Sequence, residues 1–186
     1  MKKLHLIRHA KSSWSSGALA DIERPLNQRG VCACALMAEK IVQAGCTFEH
    51  VFCSPAVRAE STIENLAAAL NRLPLGESVD GKASPKEDHT ITWKIDPDLY
   101  TFVVKDLLIW AQQVDNALSD VVIIGHNSAL TDFVNTVTNQ QLDNIPTCGY
   151  VQLAVQIENW QALSPGTGEI ISFLKPKMFT SKESSQ

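Results

Sequence analysis

Apolar residues along the chain fall into short continuous runs that alternate with longer stretches of helical spacing. Residues 4–7 form a brief apolar run suited to a buried strand, and the run ends on Arg8 and His9. Polar sequence with Ser and Gly fills 12–24. Asn27 is placed to cap a helix through about 44, with Ala33, Leu36, Met37 and Ile41 at helical spacing and Gly45 as its stop. A second strand is expected at 50–53, halted by Ser54-Pro55, and an Ala- and Leu-rich helix at 56–73.

The segment 74–90 is rich in Gly, Pro, Ser and charge and reads as an exposed loop. A short strand follows at 91–95, then a turn at Asp96-Pro97-Asp98 and a helix over 103–118. Residues 121–125 are the clearest buried strand, and a helix over 129–138 comes next. Two last strands are expected at 150–157, the more alternating one, and at 170–174. From Lys175 the chain is polar and expected to fray.

Strands alternating with helices predict an α/β sandwich, mostly parallel in its first half. At 186 residues a single domain over 1–175 is expected, with 74–90 as a loop insertion and 176–186 as a polar tail. In such sheets ligands gather beyond the carboxyl ends of the strands. The residues just past the three best strands are Arg8-His9, then Ser54-Pro55 leading to Arg58, then Gly125-His126-Asn127. Two guanidiniums and two imidazoles therefore converge on one sheet edge.

That set suits a phosphoryl group. Arginine meets phosphate oxygens with a fixed fork of donors and does not lose its charge. Helix N-termini after Ser54 and Gly125 would add N–H groups. Such a cradle stabilises the charge of a metaphosphate-like transition state, and no metal is called for. A neutral ring nitrogen of His9 can attack phosphorus if its other nitrogen donates to a fixed acceptor, expected to be a backbone carbonyl just after it. His126 is expected to be charged and to hold the transferring oxygens, against the arginines that lower both histidines.

Composition shifts this picture little. An apolar share of 45% and a charged share of 19% are ordinary for a globular protein. The net charge of −4 argues against nucleic acid as partner, though a basic pocket can sit in an acidic protein. Cys32, Cys34, Cys46, Cys53 and Cys148 show no CxxC spacing and read as buried thiols of a reducing cytoplasm. The N-terminal apolar run is too short for a signal segment, and no later run approaches a membrane span.

Several stretches, in order, resemble one family. Arg8-His9-Ala10 with Lys11-Ser12-Ser13-Trp14, Arg24-Pro25-Leu26-Asn27 with Arg29-Gly30, Ser54 to Ala59 with Thr62, and Gly125-His126-Asn127 together resemble the histidine phosphatase superfamily, the phosphoglycerate-mutase-like enzymes. The resemblance covers most of the chain to about Phe133 and returns over 147–153. It implies a three-layer α/β/α sandwich without a large helical lid. It also implies a metal-independent, cofactor-free phosphatase with His9 as phosphorylated nucleophile and Arg8, Arg58 and His126 around the phosphate. Asn127 would lend its backbone N–H, and Ser15 falls where many members carry a phosphate-contacting asparagine.

Ala10 in place of glycine is similar to the SixA-type branch. That implies a phosphohistidine phosphatase acting on a histidine-phosphorylated phosphotransfer protein. A phosphatase of small phosphorylated metabolites, or a phosphoprotein-binding module that has lost its chemistry, are the alternatives. For the proton donor the resemblance offers Asp98, in the stretch Asp98-Leu99-Tyr100; a turn or cap is its plainer role. Arg24 and Arg29 read as loop ties, Arg58 could pair with Glu60, and His5 reads as a satisfied core residue. Trp14, Trp93, Trp110 and Trp160 read as packing residues, His50 and His89 as exposed loop residues.

Overall fold

A computed structural model describes residues 1–14, 17–72 and 90–180. Ser15, His89 and nearly all of the 74–90 loop lie outside the described residues, so the expectations placed on them stay there.

Among the described residues six strands form one sheet: β1 (Lys2–Arg8), β2 (Val51–Cys53), β3 (Trp93–Ile95), β4 (Asp120–Gly125), β5 (Tyr150–Val155) and β6 (Gly168–Leu174). Their spatial order is β3-β2-β4-β1-β5-β6. The first four run parallel, and β5 and β6 add antiparallel to the β1 side. Among the described residues four α-helices cover the sheet: α1 (Gln28–Gln43), α2 (Val57–Leu70), α3 (Val104–Gln112) and α4 (Ala129–Thr138).

The period-2 pleat sorts the core into two layers. Leu4, Leu6, Val121 and Ile123 pack with Leu107, Phe133 and Val134, beneath α3 and α4. Ile7, Val122 and Ile124 pack with Met37, Ile41, Ile63 and Leu66, beneath α1 and α2. The molecule is a three-layer α/β/α sandwich. No described helix is long and apolar enough to cross a membrane.

Where the structure departs from the sequence pattern, local chemistry explains it. Strand β5 is buried on both faces rather than alternating, since β1 and β6 flank it and helices cover both layers. Helix α3 stops at Gln112, six residues short of 118, and Asp115 turns the chain by accepting from the Ala117 N–H at 2.9 Å. The segment from Lys175 does not fray at once: Pro176–Met178 makes a 3-10 turn, and Phe179 packs on the α1–α2 layer. Cys32 is exposed, unlike the other four thiols, which are buried; burial raises the Cys46 thiol to about 12.

Candidate active site

The site grows from the parallel ladder. Because β4 lies between β1 and β2, the residues leaving these three strands emerge side by side. The His9 N–H donates to the Gly125 carbonyl (3.0 Å) and the Ser54 N–H to the Ile124 carbonyl (3.0 Å), extending the sheet one step past its strand ends. This brings the His9 and His126 rings to 5.1 Å between centroids, at a tilt of 51°.

His9 is fixed by backbone. Its Nδ1 lies 2.8 Å from the Ala10 carbonyl, which can only accept, so Nδ1 carries the proton and Nε2 the lone pair. Burial is the main cause that lowers its pKa to about 4; the Ala10 carbonyl opposes this, and Arg58, Arg8 and Arg24 add to it. The loop that follows is strapped down. The Ala10 N–H donates to Thr62 Oγ1 (2.9 Å), and that hydroxyl donates to the Arg58 carbonyl (2.6 Å). The Asn27 N–H reaches the Lys11 carbonyl and the Ser13 N–H the Pro25 carbonyl. Gly30 on α1 comes so close that a Cβ there would run into the Lys11 carbonyl.

His126 is fixed by side chains. It is 1% exposed, with Ser54 Oγ 2.7 Å from Nε2 and Arg58 Nη2 3.4 Å from Nδ1. Tyr100 meets its ring edge-on at 5.4 Å, and the Phe102 ring lies tilted to it at 5.2 Å. The surroundings of His126 favour its neutral form over the expected positive charge. Burial first, then His9 and Arg58, lower its pKa to about 3, and the one opposing charge, Asp21, does not reverse that.

The arginines divide the rim. Arg8 Nη1 donates to the Ile145 carbonyl (2.8 Å) and Asn144 Oδ1 (3.2 Å), and Asn127 Nδ2 donates to the same two acceptors. Arg8 Nε and Asn127 Oδ1 are buried with no hydrogen-bond partner among the described residues. Arg58 is 2% exposed and pairs with Asp21 Oδ2 at 2.8 Å, not with Glu60. It also donates to the Asp21 carbonyl.

Asp21 is the residue that sequence reasoning missed. Its carboxylate takes the Tyr100 hydroxyl (2.7 Å), Arg58 and Arg24 (2.8 Å each). The Tyr100 hydroxyl chiefly, with the two arginines, holds this carboxyl far below the usual range against the effect of burial. The available signal was its place three residues before Arg24, an ion-pair spacing for one turn of chain. Arg24 ties the loop, reaching Ser13 O (3.1 Å) and Ser12 Oγ (2.6 Å). Trp14 is 77% exposed and covers the Arg24 guanidinium at 3.4 Å, so it is no core residue. Ser54, Tyr100 and Phe102 were also unassigned.

Asp98 stands exposed in the 3-10 turn Pro97–Leu99, its N–H donating to Asp96 Oδ1 at 3.1 Å. Asp96, not Asp98, caps this turn, and its other oxygen holds the Trp110 indole N–H (2.9 Å). His5 lies in the core between the Tyr150 hydroxyl (2.7 Å) and Asp120 (2.9 Å), away from the cluster.

Residues 4–79 match the family model described as the histidine phosphatase superfamily (branch 1). An uncharacterised chloroplast protein of Arabidopsis thaliana is similar over nearly the whole chain. The two are 25% identical over 187 residues, covering 94% of this chain and 78% of that protein. The fold is similar to that of the protein histidine phosphatase SixA complexed with tungstate, with a TM-score of 0.69 at 19% identity, covering 96% of this chain and 99% of that one. It is similar also to a mycobacterial glucosyl-3-phosphoglycerate phosphatase, with a TM-score of 0.58 at 11% identity over 91% and 97% of the two chains.

Proposed function

We propose that the chain is a phosphatase of the histidine phosphatase superfamily, whose model matches residues 4–79, that it works through a covalent phosphohistidine on His9, and that it acts on a histidine-phosphorylated protein. The observation that carries the nucleophile is the His9 geometry. With Nδ1 committed to the Ala10 carbonyl, Nε2 is the free attacker, and burial keeps the ring neutral well below physiological pH. Arg8, Arg58 and the Asn127 backbone bind the phosphoryl oxygens, and the unpartnered Arg8 Nε is a donor ready for one of them. His126 starts neutral. Arg58 can only donate, so Nδ1 of His126 is the accepting nitrogen and Nε2 donates to Ser54. A proton brought in with the phosphate turns Nδ1 into a further donor to the transferring group.

The leaving group points to the substrate. The one carboxylate on Arg58, Asp21, is held ionised by three donors and has no proton to give at neutral pH. An alkoxide needs such a proton, whereas imidazole departs readily without a strong acid. Phosphohistidine on a phosphotransfer protein is the substrate class that suits this site, and the fold likeness to a protein histidine phosphatase supports it. Cysteines without CxxC spacing, four of the five buried, are in keeping with a reducing, cytoplasmic setting.

The test has two arms. Enzyme quenched during turnover should carry acid-labile, base-stable phosphate on His9, and none in His9→Ala. Release of phosphate from a phosphorylated phosphotransfer domain should exceed release from a panel of sugar phosphates in kcat/KM. A preference for the sugars by orders of magnitude would replace this reading with a small-molecule phosphatase.

A further inference from the structure

The stretch between β3 and α3 crosses the same sheet edge as the nucleophile, since β3 is parallel to β2, β4 and β1. It is held at each step. The Tyr100 hydroxyl donates to Asp21, and Ser128 Oγ donates to the Phe102 carbonyl (3.1 Å). Thr101 Oγ1 accepts the Val103 N–H (3.1 Å) and donates to Asp106 (3.0 Å). On this strap Phe102 sets its ring 5.2 Å from His126 and 5.5 Å from Tyr100, yet stays 44% exposed. An exposed apolar side chain alone means little. This one is fixed against the site's buried histidine with much of its surface open.

In-line displacement sets the leaving atom on the far side of phosphorus from His9 Nε2. Arg8, Arg58 and His126 surround the equatorial oxygens, so the leaving group emerges past the strand ends, where the strap stands. We infer that Phe102, backed by Tyr100, is the leaving-group wall, a specificity-determining residue that favours phosphoryl groups carried on a flat unsaturated ring, as in phosphohistidine. The inference rests on the His9 reading above and extends it to what lies beyond the scissile bond. Offset or edge contact between rings gives the preference, since an alkyl leaving group offers no ring to pack.

Two non-hydrolysable phosphonates test this. Wild-type enzyme should bind phenylphosphonate more tightly than methylphosphonate. Phe102→Ala should weaken phenylphosphonate about three- to ten-fold more than it weakens methylphosphonate, while Phe102→Trp keeps the preference. The same split should appear in kcat/KM between phosphoimidazole and glycerol phosphate. Equal change with both phosphonates, or none, overturns the wall; a residue that only keeps water off His126 would slow all substrates alike and move the acid limb of the pH profile. Should the protein substrate fail against sugar phosphates while Phe102→Ala still erases the phenyl preference, the wall stands and the substrate reading falls.

Discussion

His9 and His126 sit a ring's width apart at the ends of neighbouring strands, yet the chain holds them by different means. Around His9 the fixing groups are backbone: the Ala10 carbonyl on Nδ1, the Gly125 carbonyl on its N–H, and a loop laced to 25–30. Around His126 they are side chains: Ser54, Arg58, Tyr100 and Phe102. On the mechanism proposed above, the difference has a chemical sense. A nucleophile needs one tautomer at all times, and a backbone acceptor cannot mutate away. A group that must gain a proton only when phosphate arrives is better governed by side chains and their charges.

The sharpest way to break this contrast is to remove each ring. His9→Ala should lose roughly 10⁴-fold or more in kcat, because the covalent step disappears. His126→Ala should lose about 10²- to 10³-fold, the scale of one electrostatic donor, and still form phosphohistidine on His9. Equal losses, measured by steady-state rates and by quenched labelling, would erase the division of labour. Asp21→Asn comes next: it removes the negative charge paired with Arg58 and the nearby charge that favours protonated His126. The expected cost is about ten-fold in kcat/KM, with the Tyr100 contact kept by the amide.

Ser54→Ala is smaller, since it strands Nε2 of His126 in the core at a cost of about 1–3 kcal/mol, while His9 labelling stays intact. The mildest test is pH. Both histidines titrate near 6.5 when unfolded but near 4 and 3 in the fold, so between these limits the unfolded chain binds more protons. Stability from this source is complete above about pH 6.5 and is lost as pH falls towards 3. Denaturant midpoints from pH 7 to 4 should show the slope, and His126→Gln should flatten it; an unchanged slope would mean that His126 is not neutral in the fold.

Much of this was legible from the chain. Short apolar runs ending in Arg8-His9, Ser54 and Gly125-His126 pointed to these strands, to a mostly parallel first half and to four of the groups that meet. Local signals sufficed because each residue directly follows a strand. Asp21, Tyr100 and Phe102 follow no such rule. They arrive on connecting segments whose path is set by tertiary hydrogen bonds, and a lone carboxylate 37 residues from its arginine leaves no periodic trace. What holds back the charge on His126 was hidden for a related reason: desolvation depends on how completely the strap covers it, and sequence does not show coverage.

The contact between Gly30 and Lys11 bears on how this site could be rebuilt elsewhere. Residues 9–14 look like a portable catalytic loop, but their shape is cast against 24–30, down to a missing methyl on α1. A graft of the first segment alone onto another sandwich would bring His9 without its mould. The smallest transferable part of this enzyme is the pair of segments together, and a designer should expect them to vary as one.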